Sequence, residues 1–293
     1  MLGHLIEETL SMLGEVLYGH GILEFDVFVF NELSPIIVCV VSIPFISFIV
    51  LLGTPPSSAS PSWSTLTPSP NTSSSKIYVI LVATGSFNPP TFMHLRMFEL
   101  ARDALNSDGY CVIGGYLSPV NDAYKKKGLI SAEHRIQLCH LACKSSDFIM
   151  VDPWEASQST YQRTLTVLSR VHNSVCETGL VSQESLKVML LCGSDLLHSF
   201  SIPGFWIPDQ VKTICKDYGV VCIPREGQDV EKTIFKDDIL NENKDNIKVV
   251  NELVPNQISS TRVRDCIARG LSIKYLTADE VIDYIREQQL YLN

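Results

Sequence analysis

The residues best suited to chemistry lie directly after an apolar run at positions 77–82. GSFNPPTFMH occupies positions 85–94, and a helical pattern continues from Leu95 to Leu105. This order predicts a strand, a glycine turn and a helix, the place where α/β domains bind nucleotide phosphates. Gly85 lets the backbone approach a phosphate without a side chain in the way. His94, at the start of the helix, is suited to donating a hydrogen bond to charge that develops on phosphorus.

A second anion site is predicted near the C-terminus, in ISSTRVR at positions 258–264. The hydroxyl groups of Ser259, Ser260 and Thr261 open a predicted helix and would cap its free N–H groups. The same N–H groups attract an anion, and Arg264, one turn into the helix, is able to reach that anion. Two independent phosphate-binding motifs in one domain favour a function on a nucleotide.

Composition narrows the class of protein. The net charge of −9 argues against a non-specific nucleic-acid binder, because counterion release needs clustered Lys and Arg. The nine cysteines include no CxxC pair, so neither a zinc site nor a disulfide framework is indicated. We expect small buried thiols in a reducing compartment.

The first 75 residues differ from the rest, since they contain six acidic residues and no Lys or Arg. The uncharged stretch 35–53 has the length of a membrane segment, but Pro44 interrupts it and interfacial anchors are missing from its flanks. Residues 54–75 are rich in Ser, Thr and Pro and predict a disordered linker. Three interpretations of residues 1–53 stay open: a membrane anchor that leaves the C-terminal domain in the cytoplasm, a non-native extension from a gene model, and a poorly structured regulatory tail.

Strand and helix patterns alternate through residues 76–293 and predict one α/β domain. We expect a Rossmann-like, doubly wound parallel sheet, preceded by a non-homologous N-terminal extension. The charged stretch 229–246 is predicted to be a mobile insertion. The predicted strands are 77–83, 109–117, 148–151, 187–192, 220–223 and 247–253, and the predicted helices are 90–106, 131–143, 160–172, 259–269 and 278–288.

The two phosphate motifs resemble those of the nucleotidyltransferase superfamily, Gly-x-Phe-[Asp/Asn]-Pro with [His/Thr]-x-x-His, and Ile-Ser-Ser-Thr-x-x-Arg. Thr91 and His94 occupy the histidine-containing pair. Four further segments, at 118–129, 151–155, 192–197 and 205–206, look like the eukaryotic, plant-like nicotinamide/nicotinate mononucleotide adenylyltransferases. The resemblance runs from Val79 to Leu292, so residues 76–293 are identified as a nucleotidyltransferase domain.

The resemblance implies a reaction in NAD biosynthesis: ATP and nicotinamide mononucleotide give NAD and pyrophosphate, and nicotinate mononucleotide gives deamido-NAD. The 5′-phosphate is already an anion, so catalysis requires positioning and charge neutralisation rather than a general base. His94 and Arg264 are the implied catalytic residues. Mg²⁺ or another divalent cation is expected with ATP, held by phosphate and water, and no protein metal ligand is assigned.

The resemblance also implies a set of binding residues. The implied ATP- and phosphate-binding residues are Gly85, Ser86, Phe87, His94, Lys127, Ser259, Ser260, Thr261 and Arg264. The implied mononucleotide- and NAD-binding residues are Tyr124, Trp154, Gly193, Asp195, Phe205, Trp206, Arg225 and Asn256. Among these, Trp154 and Trp206 are suited to stacking on the pyridine ring, which is cationic in nicotinamide mononucleotide.

Two alternatives remain at this point: another small-molecule enzyme of the superfamily, and a non-catalytic, chaperone-like protein that retains the fold. A phosphopantetheine or cytidylyl enzyme would share both phosphate motifs but lack the paired tryptophans. A non-catalytic protein would be free to lose His94, Lys127 or Arg264. The sequence does not rank the two mononucleotides, leaves homo-oligomerisation open, and predicts a cytoplasmic or nuclear enzyme.

Overall fold

The computed structural model describes residues 24–30, 36–43, 46–52, 76–179, 181–225, 227–254 and 256–292. The chain divides into two units between Ser73 and Ser74. In the first unit, β1 (Glu24–Phe30), β2 (Ile36–Ile43) and β3 (Ile46–Leu52) form an antiparallel sheet.

The stretch 35–53, considered above as a membrane segment, therefore contains two strands in its described parts rather than one helix. Among the residues that the structure describes, no helix has the length and apolar character needed to span a membrane. The linker predicted at 54–75 lies outside the described residues.

The second unit is built on a six-stranded sheet in which every neighbouring pair of strands is parallel. Its strand order is β6-β5-β4-β7-β8-β9. The predicted Rossmann-like, doubly wound sheet is thereby confirmed. The strands are β4 (Tyr78–Gly85), β5 (Cys111–Pro119), β6 (Ile149–Val151), β7 (Leu186–Gly193), β8 (Val220–Ile223) and β9 (Ile247–Val249).

Helices cover both faces of this sheet. They are α1 (Phe92–Ser107), α2 (Ala132–Cys143), α3 (Trp154–Ser157), α4 (Thr164–Glu177), α5 (Ser194–Phe200), α6 (Pro208–Thr213), α7 (Val230–Lys236), α8 (Asp238–Glu242), α9 (Ser260–Ala268) and α10 (Asp279–Glu287).

Alternate residues of the central strand β4 enter two different cores, as the period of two in a strand requires. Val79 and Leu81 pack with Phe98 of α1. Ile80 and Val82 pack on the other face with Val167 of α4. Because a strand that is buried on both faces needs apolar side chains at every position, its sequence is a continuous apolar run, as at 77–83.

The chain reverses its direction across the sheet between β4 and β7. From β4 it proceeds outward through β5 to β6, and it then returns to β7 on the other side of β4. The carboxyl ends of β4 and β7 diverge at this switch point, and ligands of doubly wound sheets bind in the crevice that results. The topology thus brings Gly85 and Gly193, the last residues of the two strands, to the same crevice.

A third cluster of apolar residues fixes the C-terminal helices next to α2. Leu138 of α2 packs with Val263 of α9 and with Val281 and Ile285 of α10. A hydrogen bond from the Thr277 hydroxyl to the Pro90 carbonyl, 2.8 Å long, joins this cluster to the turn after β4. The packing therefore carries the distant motif at 258–264 to the start of α1.

Two predictions about local structure are corrected. Residues 229–246 are not a mobile insertion, because α7 and α8 lie there and Val230, Ile234 and Leu240 are buried in the core. The helix predicted at 160–172 begins only at Thr164, since residues 158–163 form an irregular segment after α3. The other predicted strands and helices are confirmed, with shifted ends.

Candidate active site

A cleft of about 510 Å³ lies at the switch point of the sheet. It is open to solvent above the carboxyl ends of β4 and β7. Fourteen of the residues predicted for the site line it: Gly85, Ser86, Phe87, His94, Tyr124, Gly193, Asp195, Phe205, Trp206, Arg225, Ser259, Ser260, Thr261 and Arg264.

The turn from β4 to α1 forms the floor of the cleft and begins with a glycine that the ring of Phe87 covers. Phe87 has a φ of 41° and turns its ring back over Gly85. A Cβ atom at Gly85 would lie 3.3 Å from the Cζ atom of Phe87, so a larger residue would push this ring outward. The Phe87 ring also meets His94 edge-on, with 5.2 Å between the ring centroids.

His94 is held in one tautomer by the backbone. The Thr91 N–H donates to its Nδ1 atom over 2.9 Å, so the proton of the neutral imidazole lies on Nε2. Burial, together with the positive charges of Arg225 and Lys126, lowers the pKa of His94 to about 4. His94 in the empty cleft is therefore a neutral hydrogen-bond donor at pH 7.

The N-terminus of α9 is attached to the same turn. Ser259 caps the helix by accepting the Arg262 N–H over 3.3 Å. The Ser260 hydroxyl donates to the Pro89 carbonyl over 2.7 Å, and Arg264 Nη1 donates to the Asn88 carbonyl over 2.6 Å. The two phosphate motifs, some 170 residues apart in sequence, therefore meet at one point.

Asn88 connects that point to the lysine-containing loop. Its Nδ2 donates to the Gly128 carbonyl over 2.8 Å, and its Oδ1 accepts the Tyr291 hydroxyl over 2.9 Å. The fully buried Arg135 holds the loop from below, with bonds to the Ile130 carbonyl at 3.0 Å and to Asp122 Oδ1 at 2.8 Å.

Lys126, the middle residue of the lysine triplet, lines the cleft. Its Nζ atom donates to the Ser86 hydroxyl over 3.2 Å. Burial lowers the pKa of Lys126, as do the nearby charges of Arg264 and Arg225. Three cations thus share one wall of the cleft, and their mutual repulsion would be relieved by a bound polyanion.

At the end of β7, Asp195 lies in a polar frame. Its Oδ2 pairs with Arg225 Nη1 at 2.8 Å, and its Oδ1 accepts Gln228 Nε2 at 2.7 Å. The Ser194 hydroxyl accepts the Arg225 N–H over 2.9 Å, which fixes the backbone after β8. Asp195 is the one carboxylate among the described residues that line the cleft.

Aromatic side chains surround the remaining end of the cleft. Trp206 donates its Nε1 proton to the Ser199 hydroxyl over 2.9 Å and packs edge-on against Phe200. Tyr124 and Tyr161 stack with 6.1 Å between their ring centroids and 22° between their planes. Both tyrosines are exposed to the cleft.

Three predicted site residues do not line this cleft. Lys127 is exposed elsewhere on the loop. Trp154 packs against the core beside α4, with the Arg170 guanidinium 5.2 Å from its ring centroid. Asn256 lines a neighbouring cavity and donates to the Met93 sulfur over 3.3 Å.

Three residues for which the sequence predicted no role also line the cleft. Lys126 lies in the cleft where Lys127 was predicted, and Tyr161 lies there where Trp154 was predicted. Arg163 lies two residues beyond Tyr161 and also lines the cleft, where its positive charge acts on the Tyr161 hydroxyl. The available signal for the last two was the polar run 157–163, whose residues 160–163 were interpreted as the start of a helix.

The fold and the cleft together define an α/β protein that binds a nucleotide at the switch point of a parallel sheet. The family model described as Cytidylyltransferase-like matches residues 82–266. The chain is 72% identical over 216 residues to the nicotinamide/nicotinic acid mononucleotide adenylyltransferase of Arabidopsis thaliana, a match that covers 74% of this chain and 91% of that protein.

Two further relatives carry corresponding names. The protein from Oryza sativa subsp. japonica is 69% identical over 212 residues, with 72% of this chain and 85% of the relative covered. Nicotinamide/nicotinic acid mononucleotide adenylyltransferase 1 of Bos taurus is 42% identical over 253 residues, with 74% and 90% covered. This chain belongs to the nicotinamide/nicotinic acid mononucleotide adenylyltransferase family.

Proposed function

We propose that the cleft binds ATP and a pyridine mononucleotide and transfers the adenylyl group between them. The 5′-phosphate oxygen of the mononucleotide forms a bond to Pα of ATP, and the bond from Pα to the bridging oxygen breaks. The products are NAD or deamido-NAD and pyrophosphate. The observation that carries this proposal is the junction of the β4–α1 turn with the N-terminus of α9 beside His94.

In the proposed mechanism, the protein neutralises charge and aligns the reacting groups. Lys126 and Arg264 bind the β- and γ-phosphates with Ser259 and Thr261, and the N–H groups of Gly85 and Ser86 contact the phosphate of the mononucleotide. His94 donates its Nε2 proton to the α-phosphate. A phosphate beside the imidazole favours its protonated form and so raises the pKa of His94 from the low value of the empty cleft.

The proposed contacts to the adenosine and to the pyridine ring lie at two different ends of the cleft. Gly193 and Asp195 hydrogen-bond the adenosine ribose, and Arg225 completes the adenine end. Trp206 and the tyrosine pair at positions 124 and 161 contact the pyridine ring, whose positive charge favours an aromatic face.

A divalent cation such as Mg²⁺ is expected to enter with ATP and supply further charge neutralisation. Asp195 is already engaged by Arg225 and Gln228, and the other charged groups on the described cleft walls are cations. In the residues that the structure describes, no cluster of three His, Cys, Asp or Glu side chains is present to hold a metal. The described side chains of the cleft therefore fit a metal ion that is bound mainly by the phosphates of ATP and by water.

The proposed compartment is the cytoplasm or nucleus. The eight cysteines of residues 76–293 are free thiols, and five of them are buried. Reduced thiols are typical of these compartments.

The test is dinucleotide formation by the full-length protein with ATP, Mg²⁺ and each mononucleotide. We expect turnover, and His94→Ala should lower kcat by about 10²–10³-fold, as expected when a donor to transition-state charge is lost. His140→Ala is the matched control, because His140 is exposed on α2 and does not line the cleft. A folded sample that binds ATP but forms product with neither mononucleotide would contradict the proposal.

A further inference from the structure

Arg163 is a cation in the cleft whose charge is not used by the fold. It occupies the N-cap position of α4, but its side chain makes no capping hydrogen bond. The guanidinium has no hydrogen-bond or ion-pair partner among the described residues, and it is exposed to the cleft beside Tyr161 and Thr164. A free guanidinium of this kind presents five N–H donors to a ligand.

The other charged groups of the cleft already have partners. Arg225 pairs with Asp195 at 2.8 Å. Lys126 donates to the Ser86 hydroxyl, and Arg264 donates to the Asn88 carbonyl. In the proposed function these three cations serve the phosphates and adenine, whereas the charge of Arg163 acts on Tyr161, at the proposed pyridine end.

The position of Arg163 is supported by the segment before it. Asn121 Nδ2 donates to the Gln158 carbonyl over 2.5 Å and to the Ala156 carbonyl over 3.3 Å, while its Oδ1 accepts the Ala123 N–H over 2.8 Å. The buried Asn121 thereby joins the loop that carries Tyr124 to the segment that leads to Arg163. The tyrosine pair and the guanidinium are consequently held on one frame.

The two candidate substrates differ at the position where such a guanidinium acts. The pyridinium ring of nicotinamide mononucleotide carries a positive charge and a neutral amide, whereas nicotinate mononucleotide carries the same ring with a carboxylate. A guanidinium binds a carboxylate through two parallel charge-assisted hydrogen bonds, and it repels a ring that is cationic overall.

We propose that Arg163 is a specificity-determining residue that binds the pyridine carboxylate of nicotinate mononucleotide and favours this substrate over nicotinamide mononucleotide. The inference rests on the proposed function, because it requires the pyridine ring to lie at the aromatic end of the cleft. It adds a substrate preference that the phosphate-binding residues do not determine.

The test compares kcat/KM for the two mononucleotides in Arg163→Gln, Arg163→Lys and Arg163→Glu. Because the pair is exposed to solvent, we expect Arg163→Gln to lower the nicotinate-to-nicotinamide ratio by about tenfold, the lower end for a hydrogen bond to a charged group. Arg163→Lys should lose part of the preference, because it keeps the charge without the planar fork. Arg163→Glu should shift the ratio furthest toward nicotinamide mononucleotide.

Arg269→Gln is the matched control, since Arg269 is an exposed arginine after α9 whose partner is Asp265. It should leave the ratio unchanged. Calorimetric binding of each mononucleotide to the wild type and to Arg163→Gln provides a readout that does not need turnover, and only nicotinate binding should weaken.

Loss of both activities in equal proportion, or an unchanged ratio in all three variants, would overturn the role of Arg163. The proposed function fails by a different result, the absence of product from the wild type with either mononucleotide. If the wild type is inactive, equal binding of nicotinate mononucleotide by the wild type and Arg163→Gln overturns the inference as well.

Discussion

The residues of the cleft combine a neutral donor with a group of cations. His94 stays unprotonated because burial and the neighbouring charges of Arg225 and Lys126 oppose a further positive charge. A neutral imidazole with its proton on Nε2 contributes a directed hydrogen bond, whereas the cations contribute charge. This division of roles suits phosphoryl chemistry in which the nucleophile is already ionised.

At the residue scale, we predict that Lys126 and Lys127 differ sharply although they are adjacent. Lys126→Met should lower kcat/KM by about tenfold or more, because it removes a charge-assisted contact to the triphosphate. Lys127→Met should have little effect, since its side chain lies outside the cleft. Steady-state kinetics with varied ATP measure kcat/KM for both variants. A greater loss in Lys127→Met than in Lys126→Met would mean that Lys127, and not Lys126, contacts the triphosphate.

At the scale of elements, close packing of α1 on the sheet determines where His94 lies. Gly115 of β5 faces the Phe98 ring of α1, and a Cβ atom there would lie 2.5 Å from Cδ1 of that ring. Phe98 is fully buried, so its ring has no free space to move into. The glycine therefore sets the distance between α1 and the sheet.

We predict that Gly115→Ala destabilises the protein by about 1–3 kcal/mol, the usual cost of overpacking a core. Gly114→Ala is the matched control on the same strand, because its Cβ would lie 3.4 Å from the flexible end of Met150. Urea unfolding of both variants measures the difference. Equal midpoints for the two variants would mean that α1 shifts without cost.

At the scale of the whole molecule, the described residues that line the cleft all belong to the second unit. The described residues that line it run from Ala83 to Arg264, and the family model matches residues 82–266. The hydrogen bonds and clusters that support the cleft also come from residues after position 76. We therefore propose residues 76–293 as the catalytic domain.

We predict that removal of residues 1–75 leaves kcat/KM unchanged within experimental error, because no described cleft residue is lost. A shorter fragment that begins at Phe87 is the control. It lacks β4, the strand between β5 and β7, and should not fold. Activity that falls on removal of residues 1–75 alone would show that the first unit contributes to the site.

The sequence determined the fold class and both phosphate motifs. These features depend on short stretches in which local geometry dominates: the glycine turn at 85–94, the capping hydroxyls at 259–261, and apolar runs that are long enough to be buried on both faces. The N-cap of α2 follows the same rule, since the Ser131 hydroxyl accepts the His134 N–H. Patterns of this kind depend on residues that are close together in the sequence, so they can be recognised without knowing the tertiary contacts.

Only the tertiary structure decided which neighbouring side chains enter the cleft. Lys126 is selected over Lys127 by a loop whose conformation is set by Asn88 and Arg135, residues up to 38 positions away on other elements. Tyr161 lines the cleft because α4 begins only at Thr164, whereas Trp154 packs against the core. Residues 229–246 are ordered by burial of three apolar side chains among many charges. In each case the direction of a side chain depends on long-range contacts, which composition and spacing do not encode.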